Sequence, residues 1–240
     1  MSLVFYLLAI GIGVITGGIT SLIGASGVMI IVPILTMLFK VSVHTAIGTS
    51  LFVDVIASLA VSYSYYKNGN IELKSGIWIA STSIIGAQLG ALFASKMGEG
   101  NLSSSFGVVL VIAGLSMLRK SYKEKSDSAD SISGFIHFKT ERQKILAALI
   151  IGLGIGIVSG IFGAGGGVLI LLALIILMSF PLHKAIGTST LIMAITALSS
   201  TVGYAARGKI DFVLGSFLAV GAVLGAILGS RYANKVNEKT

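Results

Sequence analysis

The stretch HTAIGTS, residues 44–50, recurs as HKAIGTS, residues 183–189, 139 positions further along the chain. When the second half is moved back by 139 positions, residues 12–96 align with it without a gap, and roughly a third of the positions match. Both glycine-rich stretches take part in the match: Gly24, Ala25 and Gly27 fall on Gly163, Ala164 and Gly166. The chain is therefore an internal duplication.

The composition predicts a membrane protein. Of the 240 residues, 55% are hydrophobic and only 11% are charged, and the mean hydropathy is +0.98. No acidic or basic side chain precedes Lys40. A soluble domain carries roughly a quarter of charged residues, whereas this chain has several apolar stretches close to the roughly 20 residues that cross a bilayer. We expect an all-α polytopic membrane protein whose N-terminal segment is already the first membrane helix.

The apolar segments divide the chain into two halves. We predict about 8–10 membrane segments, with a first transmembrane repeat over 1–119, a polar linker over 120–143 and a second repeat over 144–240. The predicted segments are 3–23, 28–39, 44–66, 75–95, 101–118, 145–162, 167–180, 185–206 and 212–232.

The basic residues favour one orientation. If five segments precede the second repeat, that repeat is inserted upside down, and most Lys and Arg fall on the side of the linker. Only Lys40, Lys96, Arg207 and Lys209 lie opposite. A parallel arrangement divides the charges less unevenly. Because basic residues collect on the cytoplasmic side, we predict inverted repeats in the cytoplasmic (inner) membrane, with the N-terminus outside and the C-terminus inside. The net charge of +8 then needs no nucleic-acid partner.

The glycine-rich stretches GASG, 24–27, and GAGGG, 163–167, predict breaks in membrane helices. Transporters built from inverted repeats bind substrate where helices are interrupted, and the N-terminus of the restarting helix attracts anions. Close helix packing is the alternative, and we favour it for Gly86/Gly90 and Gly225/Gly229. The candidate anion ligands at the breaks are Gly24, Ala25, Ser26, Gly27, Gly163, Ala164, Gly165 and Gly166.

The repeated heptad contributes the other candidates for substrate binding. His44 and His183 could cap a helix end, or bind an anion when protonated. The hydroxyls that follow could bond to the helix backbone or to a substrate oxygen. They belong to Thr49, Ser50, Thr188 and Ser189.

Asp54 breaks the symmetry, because Met193 occupies its place in the second half. An aspartate deep in a membrane segment costs about 2.5–3.5 kcal/mol on insertion scales. It is therefore a candidate proton carrier or ligand of a coupling cation. The alternative is a protonated side chain that is hydrogen-bonded to Ser58 or to a neighbouring helix.

Other chemistry finds no support in the sequence. There is no cysteine, no phosphate-binding loop of the GxxxxGK[ST] type, and no cluster of His, Asp and Glu with metal-ligand spacing. We predict no catalytic residue, no metal and no cofactor.

The paired breaks and heptads resemble the TauE/SafE family, also called the sulfite exporter family. The loops NGNIEL, 68–73, and RGKIDF, 207–212, also resemble a feature of that family. The resemblance implies transport of small sulfur oxyanions or organosulfonates across a bacterial or archaeal inner membrane. It carries over to the glycine and alanine positions of the two breaks and to the Thr-Ser pairs of the two heptads. Asp54 lies outside the family pattern.

The sequence therefore favours a secondary transporter of a small sulfur-containing anion, embedded in the lipid bilayer and coupled to protons or another cation. A passive anion channel, a membrane-embedded enzyme and a scaffold subunit stay open as alternatives, and so does assembly as a homodimer.

Overall fold

The computed structural model describes residues 3–124, 141–163, 166–178 and 180–234. In these ranges all regular secondary structure is α-helical. The helices are α1 Leu3–Ile23, α2 Val28–Met37, α3 Val43–Lys67, α4 Leu73–Lys96, α5 Glu99–Glu124, α6 Glu141–Phe162, α7 Gly166–Met178, α8 Leu182–Ala205 and α9 Phe212–Ala233.

The helices repeat the duplication seen in the sequence. A shift of 139 residues carries α1, α2, α3 and α4 onto α6, α7, α8 and α9, while α5 has no counterpart. The predicted segments agree with the helices to within a few residues, except around the linker. There α5 continues to Glu124 and α6 begins at Glu141, so both helices reach into the stretch that we predicted as polar connector. The remainder of that stretch, which includes His137, lies outside the described residues.

Each outer helix packs against a helix of the other half. α1 lies along α9 and α4 lies along α6. Glycines bring both pairs close: a Cβ at Gly13 or Gly17 would overlap the backbone of α9, and one at Gly86 or Gly90 would overlap the backbone of α6. The packing function predicted for Gly86/Gly90 and Gly225/Gly229 is thereby confirmed.

The two heptad helices, α3 and α8, form the centre of the molecule. In each of them, 72% of the most apolar 18-residue stretch is buried, whereas the corresponding share is 33% to 44% in the other four long apolar helices. Gly48, near the start of α3, contacts Tyr204 near the end of α8, and Gly187 contacts Tyr65 in the converse way. The two equivalent helices therefore run antiparallel.

The outer surface is apolar. Leu7, Ile85 and Leu228 are each at least half exposed, and many large hydrophobic side chains share this property. Among the described residues, six helices are long and apolar enough to cross a membrane: α1, α3, α4, α6, α8 and α9. Water disfavours such a surface, whereas lipid accommodates it, so the chain is an all-helical multi-pass membrane protein.

Candidate functional site

Both predicted breaks are present, and both depend on a glycine. Gly24 has φ +69° and Gly163 has φ +65°, in the left-handed region that side chains with a Cβ rarely adopt. The N–H of Gly24 donates to the Thr20 carbonyl at 2.9 Å, and that of Gly163 donates to the Ser159 carbonyl at 2.7 Å. Each glycine thus ends its long helix, and a short helix begins a few residues later.

The two breaks contact each other. A Cβ at Gly167 would overlap the carbonyl oxygen of Gly24 and would lie 3.1 Å from the backbone nitrogen of Ser26. α2 and α7 begin on either side of this contact. Ala164 and Gly165, which the sequence also nominated, lie outside the described residues.

Each break also packs against the heptad helix of the other half. A Cβ at Gly24 would lie 3.3 Å from the Ser189 hydroxyl oxygen and 3.5 Å from the Ile186 side chain. A Cβ at Gly163 would lie 3.1 Å from the Ile47 side chain. The breaks are therefore enclosed between α3 and α8.

The side chain of Asp54, on α3, lies at the N-terminus of α2. Its Oδ2 accepts a 2.8 Å hydrogen bond from the Ser26 hydroxyl, and its Oδ1 accepts a 3.3 Å bond from the backbone N–H of Gly27. The Ser26 oxygen in turn accepts from the N–H of Val28 at 3.3 Å. Since backbone N–H groups at a helix start attract negative charge, the carboxyl sits where an anion is most favoured.

Asp54 has no compensating cation. It is only 3% exposed, and no basic side chain in the described ranges forms an ion pair with it. Of the two hydrogen-bond partners predicted as the alternative, the neighbouring helix is observed, because the carboxyl bonds to Ser26 and Gly27 at the start of α2, whereas the buried hydroxyl of Ser58 has no hydrogen-bond partner. A buried carboxylate without a counter-charge is costly, so this side chain depends on its hydrogen bonds to the start of α2.

The histidines of the repeated heptad cap helix ends. His44 Nε2 lies 3.1 Å from the carbonyl oxygen of Ala94, near the end of α4. His183 Nε2 lies 3.2 Å from the carbonyl oxygen of Ala233, at the end of α9. Ala94 and Ala233 are equivalent in the duplication, so both histidines have the capping role that was one of their two predicted alternatives.

His44 makes one further contact. Its Nδ1 lies 2.7 Å from Glu99 Oε1, while Glu99 Oε2 accepts from the N–H of Val43 at 2.8 Å. Glu99 stands at the start of α5, ahead of the predicted segment 101–118. Partial burial by itself would raise the pKa of Glu99, but the hydrogen bonds from His44 and Val43 and the charge of His44 outweigh it, so the pKa lies below its usual range. Both ring nitrogens of His44 therefore have an oxygen partner.

The glycine and threonine of each heptad join the two halves. A Cβ at Gly48 would overlap the Lys209 carbonyl oxygen, and Thr49 Oγ1 accepts from the N–H of Asp211 at 2.9 Å. In the converse contact, a Cβ at Gly187 would overlap the Asn70 carbonyl oxygen, and Thr188 Oγ1 accepts from the N–H of Glu72 at 3.0 Å. We name these paired contacts the reciprocal latch.

The serines of the heptads have local partners. The Ser50 hydroxyl donates to the Ile47 carbonyl at 2.9 Å, and the Ser189 hydroxyl donates to the Ile186 carbonyl at 3.0 Å. Backbone bonding was one of the two options predicted for these side chains. Substrate contact by the heptad hydroxyls stays a prediction, and each of them has a protein partner in this structure.

Sequence reasoning did not identify the partners of the latch. Glu72 and Asp211 lie in the loops that carry the family resemblance, and they are equivalent in the duplication, which was the available signal. Tyr65 and Tyr204, 139 positions apart, are also equivalent in the duplication, and we predicted no role for them. The Tyr65 hydroxyl donates to the Ser21 carbonyl at 3.1 Å, and the Tyr204 hydroxyl donates to the Ile161 carbonyl at 3.2 Å. Both tyrosines thus hold the helix end that precedes a break.

The latch should contribute measurably to stability. Thr49→Val keeps the shape of the side chain but leaves the N–H of Asp211 without an acceptor. We expect a loss of about 1–3 kcal/mol in the free energy of unfolding, measured by denaturant titration of the protein in detergent micelles. Thr188→Val should cost a similar amount. As a control, Thr36→Val alters a threonine of α2 that bonds only within its own helix, and a loss from it equal to that from Thr49→Val would contradict the latch.

In the described ranges, no group of three or more His, Asp or Glu side chains is placed to hold a metal ion. The polar centre consists of Asp54, Ser26 and the backbone of the two breaks. The arrangement brings one carboxyl group and the backbone N–H donors of a helix start together in the centre of the molecule.

Duplicated halves, broken helices and a polar centre inside an apolar exterior define the class as a multi-pass membrane transporter. The profile of the sulfite exporter TauE/SafE family matches residues 9–240. The chain belongs to this family.

Individual relatives agree with that assignment. The chain is 30% identical to the "Probable membrane transporter protein YdhB" of Bacillus subtilis over 221 residues, covering 91% of this chain and 86% of the relative. It is 29% identical to YunE of the same organism, which carries the same description, covering 98% and 91%. The archaeal relative MJ0441 of Methanocaldococcus jannaschii is 26% identical, covering 97% and 88%. No solved structure matches the chain.

Proposed function

We propose that this protein is a secondary transporter that carries a small sulfur-containing oxyanion, such as sulfite, thiosulfate or an organosulfonate, across the cytoplasmic membrane. The family and the transporter names of the relatives support transport. The observation that carries the proposal is the contact between the two glycine breaks, at which the short helices α2 and α7 both begin. No enzyme activity is part of the proposal.

The substrate anion binds at these two helix starts. Backbone N–H groups and the positive end of the helix dipole favour an anion there without an arginine. Irregular backbone at this depth is tolerated when it is buried or lines a cavity. The ligand set comprises the backbone of the two breaks with the Ser26 hydroxyl: Gly24, Ala25, Ser26, Gly27, Gly163, Ala164, Gly165 and Gly166.

Asp54 couples the anion to a proton. In its ionised form it takes the donors of Ser26 and Gly27 for itself and repels a second anion. Protonation removes the charge, weakens these bonds and leaves the start of α2 free for the substrate. Proton and substrate anion therefore bind together. The buried, unpartnered hydroxyl of Ser58 lies about one turn after Asp54 on α3 and offers a further donor.

Transport proceeds by alternating access between inverted halves. The antiparallel course of α3 and α8 supports the inversion, and the distribution of basic residues supports an outside N-terminus and an inside C-terminus. Movement of one half against the other then exposes the centre to each side in turn.

The test is uptake of radiolabelled sulfite, thiosulfate and sulfate into proteoliposomes that contain the purified protein, with and without an imposed pH gradient. We expect saturable uptake of a sulfur oxyanion that increases when the gradient drives protons in the same direction. Uptake that never saturates and never exceeds equilibrium would indicate a channel. Absence of uptake of all three anions and of small organosulfonates would overturn the proposed function.

A further inference from the structure

A cavity of about 510 Å³ opens at one end of the molecule, away from the central breaks. It lies where α3 begins, α4 ends, α5 begins and α8 ends. Its polar lining consists of His44, Ser95, Glu99, Tyr204, Arg207 and Lys209. The volume is ample for a four-oxygen anion together with several water molecules.

The cavity has an excess of positive charge. Its one carboxylate, Glu99, is already engaged by His44 and by the N–H of Val43. Arg207 donates from Nη1 to the Gly203 carbonyl, which leaves most of its five N–H donors available. Within the described part of the chain, neither Arg207 nor Lys209 forms an ion pair. A guanidinium and an ammonium group beside a concave surface suit a small oxyanion.

The duplication does not account for these charges. Asn68 and Asn70 occupy the positions equivalent to Arg207 and Lys209. Asn70 Nδ2 donates to Asn234 Oδ1 at 3.1 Å, and Asn68 Nδ2 donates to the Ser64 carbonyl at 2.8 Å. The equivalent positions of the first half therefore carry neutral amides in place of the two cations.

The position of the cations is also unusual for a membrane protein. On the proposed orientation this end faces outward, where basic residues are normally scarce. Four of the chain's 17 Lys and Arg residues lie on that side, and two of the four line this one cavity.

The floor of the cavity is connected to a break. Tyr204 is 3% exposed and lines the cavity, and its hydroxyl bonds to the Ile161 carbonyl, two residues before Gly163. A single buried side chain thus links the cavity to the helix end at the second break.

We propose that this cavity is a second anion-binding site, in which Arg207 and Lys209 hold a small oxyanion on the face opposite the linker. Its use as a vestibule, which captures the substrate before it reaches the centre, rests on the proposed function. The proposal that the cavity binds an anion does not depend on the proposed function.

Histidine resonances provide a direct test of binding. The chain has three histidines, of which His44 lines the cavity and His183 holds the equivalent place in the other half. Full-length protein labelled on histidine nitrogens is titrated in nanodiscs with sodium sulfite, and separately with sodium sulfate, against sodium chloride at equal ionic strength. We expect the imidazole signals of His44 to shift saturably with an oxyanion and those of His183 to stay in place.

Variants identify the ligands. Arg207→Asn with Lys209→Asn introduces the residues of the other half, and the half-saturating concentration should rise about tenfold or more, as expected for the loss of charge-assisted hydrogen bonds. Lys209→Asn alone removes an exposed side chain and should give a smaller rise in a protein that folds normally. Lys67→Asn with Lys184→Asn, which removes the same charge from the opposite face, should leave the titration unchanged.

Three results would overturn the proposal: no response of His44 to either oxyanion, an equal response to chloride, or an unchanged titration in the Arg207/Lys209 double variant. Uptake assays then separate the two proposals. The double variant should raise the half-maximal external concentration without lowering the maximal rate. A saturable His44 response in a protein that transports no sulfur oxyanion would keep the binding site and overturn the proposed function.

Discussion

Asp54→Asn is expected to abolish the stimulation of uptake by a proton gradient while leaving downhill exchange of the substrate anion in place. Asparagine preserves the shape of the side chain: its one oxygen can accept from the N–H of Gly27 and its NH2 group can donate to the Ser26 oxygen, but it can neither ionise nor carry a proton. A gradient of one pH unit is worth about 1.4 kcal/mol and supports about tenfold accumulation for one coupled proton. That accumulation should fall to equilibrium in the variant, as measured by uptake of radiolabelled substrate into proteoliposomes.

Asp211→Asn is the matched control for this experiment. Asp211 accepts from the N–H of Leu214 at 3.0 Å as the N-cap of α9, and asparagine is an equally good residue at that position. The control should keep its gradient response. If Asp54→Asn accumulates the anion as strongly as the unaltered protein, Asp54 is not the coupling group.

Gly167→Val should remove transport and reduce stability, because it adds side-chain atoms where the breaks touch. The Cβ alone would overlap the Gly24 carbonyl oxygen and would also crowd the Met193 sulfur and the Ser26 nitrogen. Backbone cannot move aside as a flexible side chain can, so the substitution must separate the two breaks or deform one of them. Overpacking of a buried site costs about 1–3 kcal/mol. The melting temperature in detergent and the initial rate of uptake measure the two effects.

The choice of valine is informative, since Val28 holds the equivalent place in the first half. The side chain is therefore acceptable in this local sequence, and only the contact between the halves forbids it. Gly154→Ala provides the control, because a Cβ there meets nothing within 4 Å. It should transport normally. Normal transport and melting of Gly167→Val would show that the breaks do not need their close contact.

Much of the architecture could be predicted from the sequence because duplication and helix breaks leave local traces. The breaks at Gly24 and Gly163 are predictable because glycine-rich stretches lie there between apolar segments. The antiparallel course of α3 and α8 is predictable because an odd number of segments precedes the second repeat. The partners across space leave no such trace. Nothing near Asp54 indicates that its carboxyl bonds to Ser26, 28 residues earlier, since that contact depends on how α2 folds back against α3.

The heptads illustrate the same limit. Their repetition suggested one half-site in two copies, and their histidines were expected to cap helices or bind anions. That Thr49 accepts from Asp211 could not be read from spacing, because the two residues are 162 positions apart and belong to different copies. Two copies that face each other exchange partners, so each local motif is completed by a distant loop.

The pairing of α1 with α9 has a consequence for biosynthesis. α1 leaves the ribosome well before α9, and the glycine face through which they meet, including Gly13 and Gly17, has no α9 backbone to pack against until then. Non-local contacts of this kind form late. A nascent chain that stops before residue 212 lacks α9, so the glycine face of α1 has no partner helix packed against it.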